Sequence, residues 1–336
     1  MSSQMIALTG GTGPEWERRE VDVPSPRPGQ LLVRVRAAGL NRADLGMLQG
    51  TYNPAGRPLR TFTAGLELAG EVAAVGDEVA GWAVGDRVMG TTLGAFAPYA
   101  LVDHRHVVPA PESTAWTDAA ALPVALITEH DALVTQAGFV AGQSVLVTAA
   151  SSGVGLVAVQ LAKALGAALV IGTSTSASKI DAVLSAGADR VVDTTAERLS
   201  EVVRSMTDDA GVDVVLDHVG GDVFADLLPA TRPRGTIVNI GRLGGLTARM
   251  DLDQLSFRRL RVIGTTFSIR TAEERAEVAA ALSTDVLPAV AAGKIRPIID
   301  SVFAFDDAPL ALARLRSNRA IGKILLEMPD DALEHS

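Results

Sequence analysis

The chain has 336 residues, 48% of them apolar and 21% charged, which is enough for two domains with substantial cores and ordinary for a soluble globular protein. Its net charge of -9 argues against nucleic acid or an anionic membrane as main partner, since both select a basic face. The absence of cysteine excludes disulfides, thiol nucleophiles and thiolate-ligated zinc. Among the five histidines, His104 and His106 stand two apart, but no third ligand follows at a recognisable spacing. They read as surface residues, and no metal site is expected. No basic-then-apolar leader is visible, so the expected location is cytoplasmic, with no membrane partner.

Residues 1–123 are rich in Gly and Pro and carry short alternating runs, 30–36 and 71–75, punctuated by Pro24, Pro26, Pro28, Gly29, Gly76, Gly81 and Gly85. That pattern predicts a small, mostly antiparallel β domain. A helical stretch over 118–136 leads out of it. The run Ser144-Val-Leu-Val147 then breaks into a small-residue turn, and a helix starts at once from Gly153 and Gly155. A second apolar run, 168–172, completes a strand–helix–strand unit. Only Lys163 is charged between 144 and 173, but the turn and the change of period mark a buried unit rather than a membrane span.

Further strands are predicted at 212–217, 235–240 and 261–267, and helices near 179–186, 196–206 and 224–231. Strands alternating with helices give a doubly wound parallel sheet of the Rossmann kind. A long helix over 271–292 opens on a capping box, Thr271 to Glu274. A strand (298–303), a helix (307–316) and a strand (322–327) follow, and the end from Pro329 is expected to fray.

The turn at 149–155 carries the first functional signal. Its free backbone N–H groups and the positive end of a helix dipole converge on one point, which suits a pyrophosphate. The three glycine positions of the dinucleotide fingerprint are here Ala150, Ser152 and Gly155, with an extra Gly153, so the motif needs its strand–helix–strand context. A domain of this kind without a nucleotide is the competing reading.

Nearly end to end, short motifs follow in a characteristic order: Val33-Arg-Val-Arg-Ala-Ala-Gly-Leu-Asn-Arg-Ala-Asp44, Gln49-Gly-Thr-Tyr52, Gly65-Leu-Glu-Leu-Ala-Gly70, Val84-Gly-Asp-Arg-Val88, the 149–155 turn, Gly187-Ala-Asp189, Gly211-Val-Asp-Val-Val215 and Asp217-His-Val-Gly-Gly221. In these the chain resembles the zinc-independent quinone oxidoreductase and enoyl reductase branch of the medium-chain dehydrogenase/reductases. The resemblance implies a GroES-like domain from 1–123 and 268–336, a Rossmann domain from 124–267, and an active-site cleft between them. Asn41 and Leu66 stand where zinc-dependent members carry ligands. A neutral amide and an alkyl group cannot replace a thiolate and an imidazole, so the implied chemistry proceeds without a Lewis acid.

An NAD-binding unit usually ends its second strand with an acid that bonds the ribose 2′-OH. None occurs in 170–179, where Ser174 and Lys179 offer a hydroxyl and an ammonium to a 2′-phosphate, as in relatives. The implied cofactor is NADPH. For Lys179 the alternative is a solvated residue of a capped helix. The resemblance adds Ser152, Gly153, Val154, Gly155, Gly241, Phe267 and Arg319 to the cofactor set. Thr128 matches a threonine beside the nicotinamide or its phosphate, or is a helix threonine back-bonded to its own turn. His218 either touches adenosine or is a solvated loop histidine.

For catalysis the resemblance implies Tyr52 as proton donor and Asn41 as a hydrogen-bonding group near the substrate carbonyl. The alternative for Tyr52 is a turn aromatic packed beside Pro54. Asp44 reads as structural, and Gly46, in place of a bulky residue, suggests a wide pocket. The implied activity is hydride transfer from NADPH to a quinone or other α,β-unsaturated carbonyl. Reduction of enoyl thioesters or tailoring of a polyketide product is the alternative, and a non-catalytic nucleotide-binding protein a second one. A homodimer is expected, with the apolar strand 261–267 at or near a bare sheet edge.

Overall fold

The computed structural model describes residues 4–50 and 61–329. Eight strands come first among these: β1 (Gln4–Gly10), β2 (Glu17–Asp22), β3 (Gln30–Leu40), β4 (Phe62–Thr63), β5 (Glu67–Val75), β6 (Arg87–Thr91), β7 (Tyr99–Asp103) and β8 (Val107–Pro109). Six follow, β9 (Ser144–Val147), β10 (Leu169–Ser174), β11 (Arg190–Asp193), β12 (Val212–Asp217), β13 (Thr231–Asn239) and β14 (Arg261–Gly264). The last two are β15 (Ile299–Ala304) and β16 (Lys323–Glu327). The chain divides into two units: Met1–Val124 with Ser268–Thr284 and Pro297–Ser336, and Ala125–Phe267 with Asp285–Arg296.

In the first unit, β15, β16, β3, β5, β6 and β8 lie in that order in one sheet, with β7 also on β3, and β2, β1 and β4 form a small second sheet. Every pairing except β15 with β16 is antiparallel. The core gathers Leu31, Val33, Val35, Leu68, Val88 and Phe96, all fully or nearly fully buried. The short helix α1 (Arg42–Leu48) leaves the end of β3 directly. This is the expected GroES-like, mostly antiparallel β domain.

In the second unit β11, β10, β9, β12, β13 and β14 form a parallel sheet in that order. The chain runs outward from β9 to β11 and then crosses to β12, so the topological switch lies between β9 and β12. The expected Rossmann-like sheet is therefore present, and β14 lies at its edge as the sequence suggested. Leu146, Ile171, Val192, Val215 and Ile237, one from each of five neighbouring strands, form the centre of its core. After α2 (Trp116–Ala120) and α3 (Pro123–His130), helix α4 (Gly153–Ala164) follows β9 and is tied back by Lys163, which pairs at 2.6 Å with Asp189 while Asp189 also accepts from the Val170 N–H.

Several boundaries differ from the sequence reading. The helical stretch 118–136 is three pieces, because Pro123 starts a new helix, Pro123–His130, and the winding widens over Asp131–Gln136, where the Ala137 N–H reaches back to the Ala132 carbonyl. The long helix breaks at Val286 into Ala272–Asp285 and Leu287–Ala291, with Pro288 in the first turn of the second. Its capping box is present: Glu274 accepts from the Thr271 N–H at 2.7 Å and Thr271 Oγ1 from the Glu274 N–H at 3.2 Å. The strand predicted at 261–267 ends at Gly264.

Candidate functional site

The second unit places its small-residue turn at the carboxyl end of β9. Ala149 takes a left-handed φ of 47°, folding the chain back, and its N–H and that of Ala150 bond to Thr173 on β10. Ser152 caps α4 by accepting from the Gly155 N–H at 3.1 Å. The N–H groups of Gly153 and Val154, in the first turn, have no acceptor inside the helix and stand at its positive end. Gly155 lies so close to the strand exit that a Cβ there would meet the Ala149 carbonyl oxygen at 2.5 Å. Ser152, Gly153, Val154 and Gly155 are thus brought together as an anion-binding turn would require.

Ser174 closes β10 without a carboxylate. It is buried, and its hydroxyl is held in a local turn, donating to the Ser176 carbonyl and accepting from the Ser176 N–H. Lys179 is half-buried at the entry to the helix Ile180–Ser185. The acid nearest in register is Asp193 on β11, paired opposite Ser174. Its carboxyl is held below the usual range by hydrogen bonds from the Thr195 hydroxyl and N–H.

His218 is no solvated loop residue, because it is 3% exposed and both ring nitrogens have partners. Nδ1 lies 2.9 Å from the Thr148 carbonyl oxygen and Nε2 2.8 Å from Oε1 of Glu129, which is fully buried. The network continues along the carboxyl ends of the strands. The Thr148 hydroxyl donates to Asp217, which also accepts from Val219, Gly220 and the Asn239 amide. Gly241 lies against the backbone of His218, where a Cβ would meet its carbonyl oxygen at 2.3 Å. Sequence reading found His218 and Gly241 but not Glu129, Thr148, Asp217 or Asn239. Burial pulls the His218 imidazolium towards deprotonation, but the Glu129 charge and the hydrogen bonds outweigh it and raise the pKa above 6.5. Thr128, one residue before Glu129, is half-buried, as is Phe267 beyond the end of β14.

In the first unit Asn41 sits at the end of β3 and turns its side chain inward. Its amide donates to Glu67 Oε1 at 2.8 Å and to the Gly39 carbonyl at 3.3 Å, and its Oδ1 accepts from Lys323 at 2.8 Å. The Lys323 ammonium also donates to Glu67 and to the Leu40 carbonyl, and Glu67 Oε2 accepts from the Val124 N–H. Lys323, Glu67 and Asn41 are all buried. Asp44 is buried beside them and accepts from the Asn41 N–H at 2.7 Å; desolvation pushes its carboxyl up to about 7. Sequence reading missed Lys323, whose partners lie more than 250 residues away. Arg319 occupies an exposed turn after the helix Ala308–Arg316. Tyr52 lies outside the described residues. No helix among them is long and apolar enough to cross a membrane.

Residues 27–112 match the family model described as an alcohol dehydrogenase GroES-like domain, and 153–284 the one described as a zinc-binding dehydrogenase. The chain is 31% identical to quinone oxidoreductase-like protein 2 of Bos taurus, covering 92% of this chain and 88% of that protein. It is 36% identical to the spectinabilin polyketide synthase system protein NorB of Streptomyces orinoci over 90% of its own length, but spans only 13% of that protein. A solved structure of mycobacterial Rv1454c complexed with NADPH superposes with a TM-score of 0.83 at 28% identity, covering 96% of this chain and 99% of that one.

Proposed function

The chain belongs to the quinone oxidoreductase branch of the medium-chain dehydrogenase/reductase superfamily, a group of oxidoreductases, and from that premise we propose that it is a zinc-free, NADPH-dependent reductase of quinones or other α,β-unsaturated carbonyls, working as a cytoplasmic homodimer. The observation that carries the nucleotide reading is the Ser152-capped turn, with the Gly153 and Val154 N–H groups at the positive end of α4. The same turn supports a nicotinamide cofactor in the light of the NADPH-complexed relative.

In this reading the turn holds the pyrophosphate, and Thr128, His218, Gly241 and Phe267, all of the same unit, belong to the dinucleotide site; Arg319 is assigned to the cofactor by the family resemblance alone. Ser174 and Lys179, at a strand end without a carboxylate, take the 2′-phosphate. The bound nicotinamide supplies hydride. Tyr52 donates or orients a proton for the developing enolate, and Asn41, its amide engaged by Glu67, Gly39 and Lys323, stiffens the start of α1 instead of bonding substrate. The absence of cysteine, together with Asn41 and Leu66 at the positions of zinc ligands, supports metal-free chemistry. The likeness to a polyketide synthase protein supports the second reading, a reductase of enoyl thioesters.

The test is NADPH oxidation with a panel of quinones, enones and enoyl thioesters, before and after chelation. Rates should survive chelation. Tyr52→Phe should keep NADPH affinity and lower enone turnover by about 10²–10⁴-fold if proton transfer limits the rate, with a smaller effect on quinones, whose reduced anion water can protonate. Full enone activity in Tyr52→Phe removes that residue from the mechanism. No NADPH oxidation with any acceptor would favour a non-catalytic nucleotide-binding protein.

A further inference from the structure

The Glu129–His218 pair lies where ligands enter a doubly wound sheet, at the carboxyl ends of strands flanking the topological switch. Thr148 follows β9 and His218 follows β12, and those strands are neighbours. The Thr148 carbonyl can only accept, so His218 Nδ1 carries a hydrogen. The opposite nitrogen faces a carboxylate oxygen. One proton therefore lies between Nε2 and Glu129 Oε1, and with it the pair is neutral overall.

Nothing else among the described residues offsets Glu129. Its second oxygen is buried without a hydrogen-bond partner, and its helix neighbour His130 turns away to Asp285 at 2.9 Å. The other charged group facing the imidazole is Asp217, from the same strand. Donors from Thr148, Val219, Gly220 and Asn239 satisfy that carboxylate. The strand β9 contributes only Thr148 at its end, and β13 only the neutral amide of Asn239.

We propose that Glu129 and His218 share this proton to keep a second uncompensated negative charge off the nucleotide-binding end of the sheet, and that losing it weakens binding of an anionic dinucleotide. The inference rests on the dinucleotide reading above. His218 is then a positioning and charge-setting residue with no free nitrogen for adenosine, and Glu129, absent from the sequence-derived site, becomes its partner.

NADPH affinity measured by calorimetry between about pH 7 and pH 9.5 tests this in the parent, Glu129→Gln, His218→Gln and the double variant. The parent should lose about fivefold to tenfold in affinity as the pH rises, on the scale of one partly screened charge, and Glu129→Gln should stay flat. His218→Gln should bind weakly throughout, and adding Glu129→Gln should restore binding. An equal pH-dependent loss in the parent and Glu129→Gln, or parent-like affinity in a folded His218→Gln, would overturn the proposal. If His218→Gln does not fold, the first comparison decides alone. A parent that binds no nicotinamide nucleotide at pH 7 overturns the dinucleotide reading as well, whereas tight but pH-independent binding overturns only the shared proton.

Discussion

Asp44 illustrates what burial does to one carboxyl. Desolvation raises it from 3.8 to about 7, against the pull of the Asn41 N–H and Lys323. Between those values the folded chain holds a proton that the unfolded chain has released, so stability falls as the pH rises through that window and the full penalty applies above it. Asp44→Asn keeps an acceptor for the Asn41 N–H and removes the ionisation. Urea titrations at about pH 5 and pH 8 should show the parent losing on the order of 1 kcal/mol per pH unit within the window relative to the variant; parallel pH dependences would refute this. Lys179 carries a different expectation. If it holds a 2′-phosphate, Lys179→Ala should cost roughly 1.5–3 kcal/mol of NADPH binding and leave NADH nearly unchanged, read as the ratio of kcat/KM for the two cofactors. Equal losses for both would reject the role.

At the scale of elements, the turn between β9 and α4 depends on one missing side chain. Gly155→Ala sets a Cβ against backbone atoms of Ala149 and Ala150, at 2.5 and 2.7 Å, which cannot swing aside. The variant should lose about 1–3 kcal/mol of stability and most NADPH binding, measured by thermal melts and calorimetry; unchanged affinity would mean the turn is not the phosphate cradle. The turn was legible in the sequence because strand, small residues and helix are contiguous there. Arg190–Asp193 was not placed as a strand, since only Val191 and Val192 are apolar before a run of turn formers. The paired acids and bases were less legible still. His218 and Glu129 are 89 residues apart, and no local pattern announces a partner that the fold alone supplies.

For the whole molecule, a homodimer through β14 is the expectation to test. That strand lies at the edge of its sheet, and Leu246, Leu252, Phe257 and Val262 are exposed in the same unit. Light scattering at micromolar concentration should give twice the chain mass, and Val262→Lys should shift it towards monomer; a monomeric parent would reject the expectation. A separate consequence follows from where β16 lies. It is inserted between β15 and β3, and Lys323 at its start bonds the carbonyl of Leu40, 283 residues earlier. The whole Ala125–Phe267 stretch of the second unit is synthesised in the interval. During translation, the flank of β3 that awaits β16 stays bare while that stretch has already left the ribosome. The first unit to begin is therefore the last to be completed, and until then Ala37–Leu40 of β3 lack their ladder partner on that side, the kind of unpaired strand edge that exposes a nascent chain to mispairing.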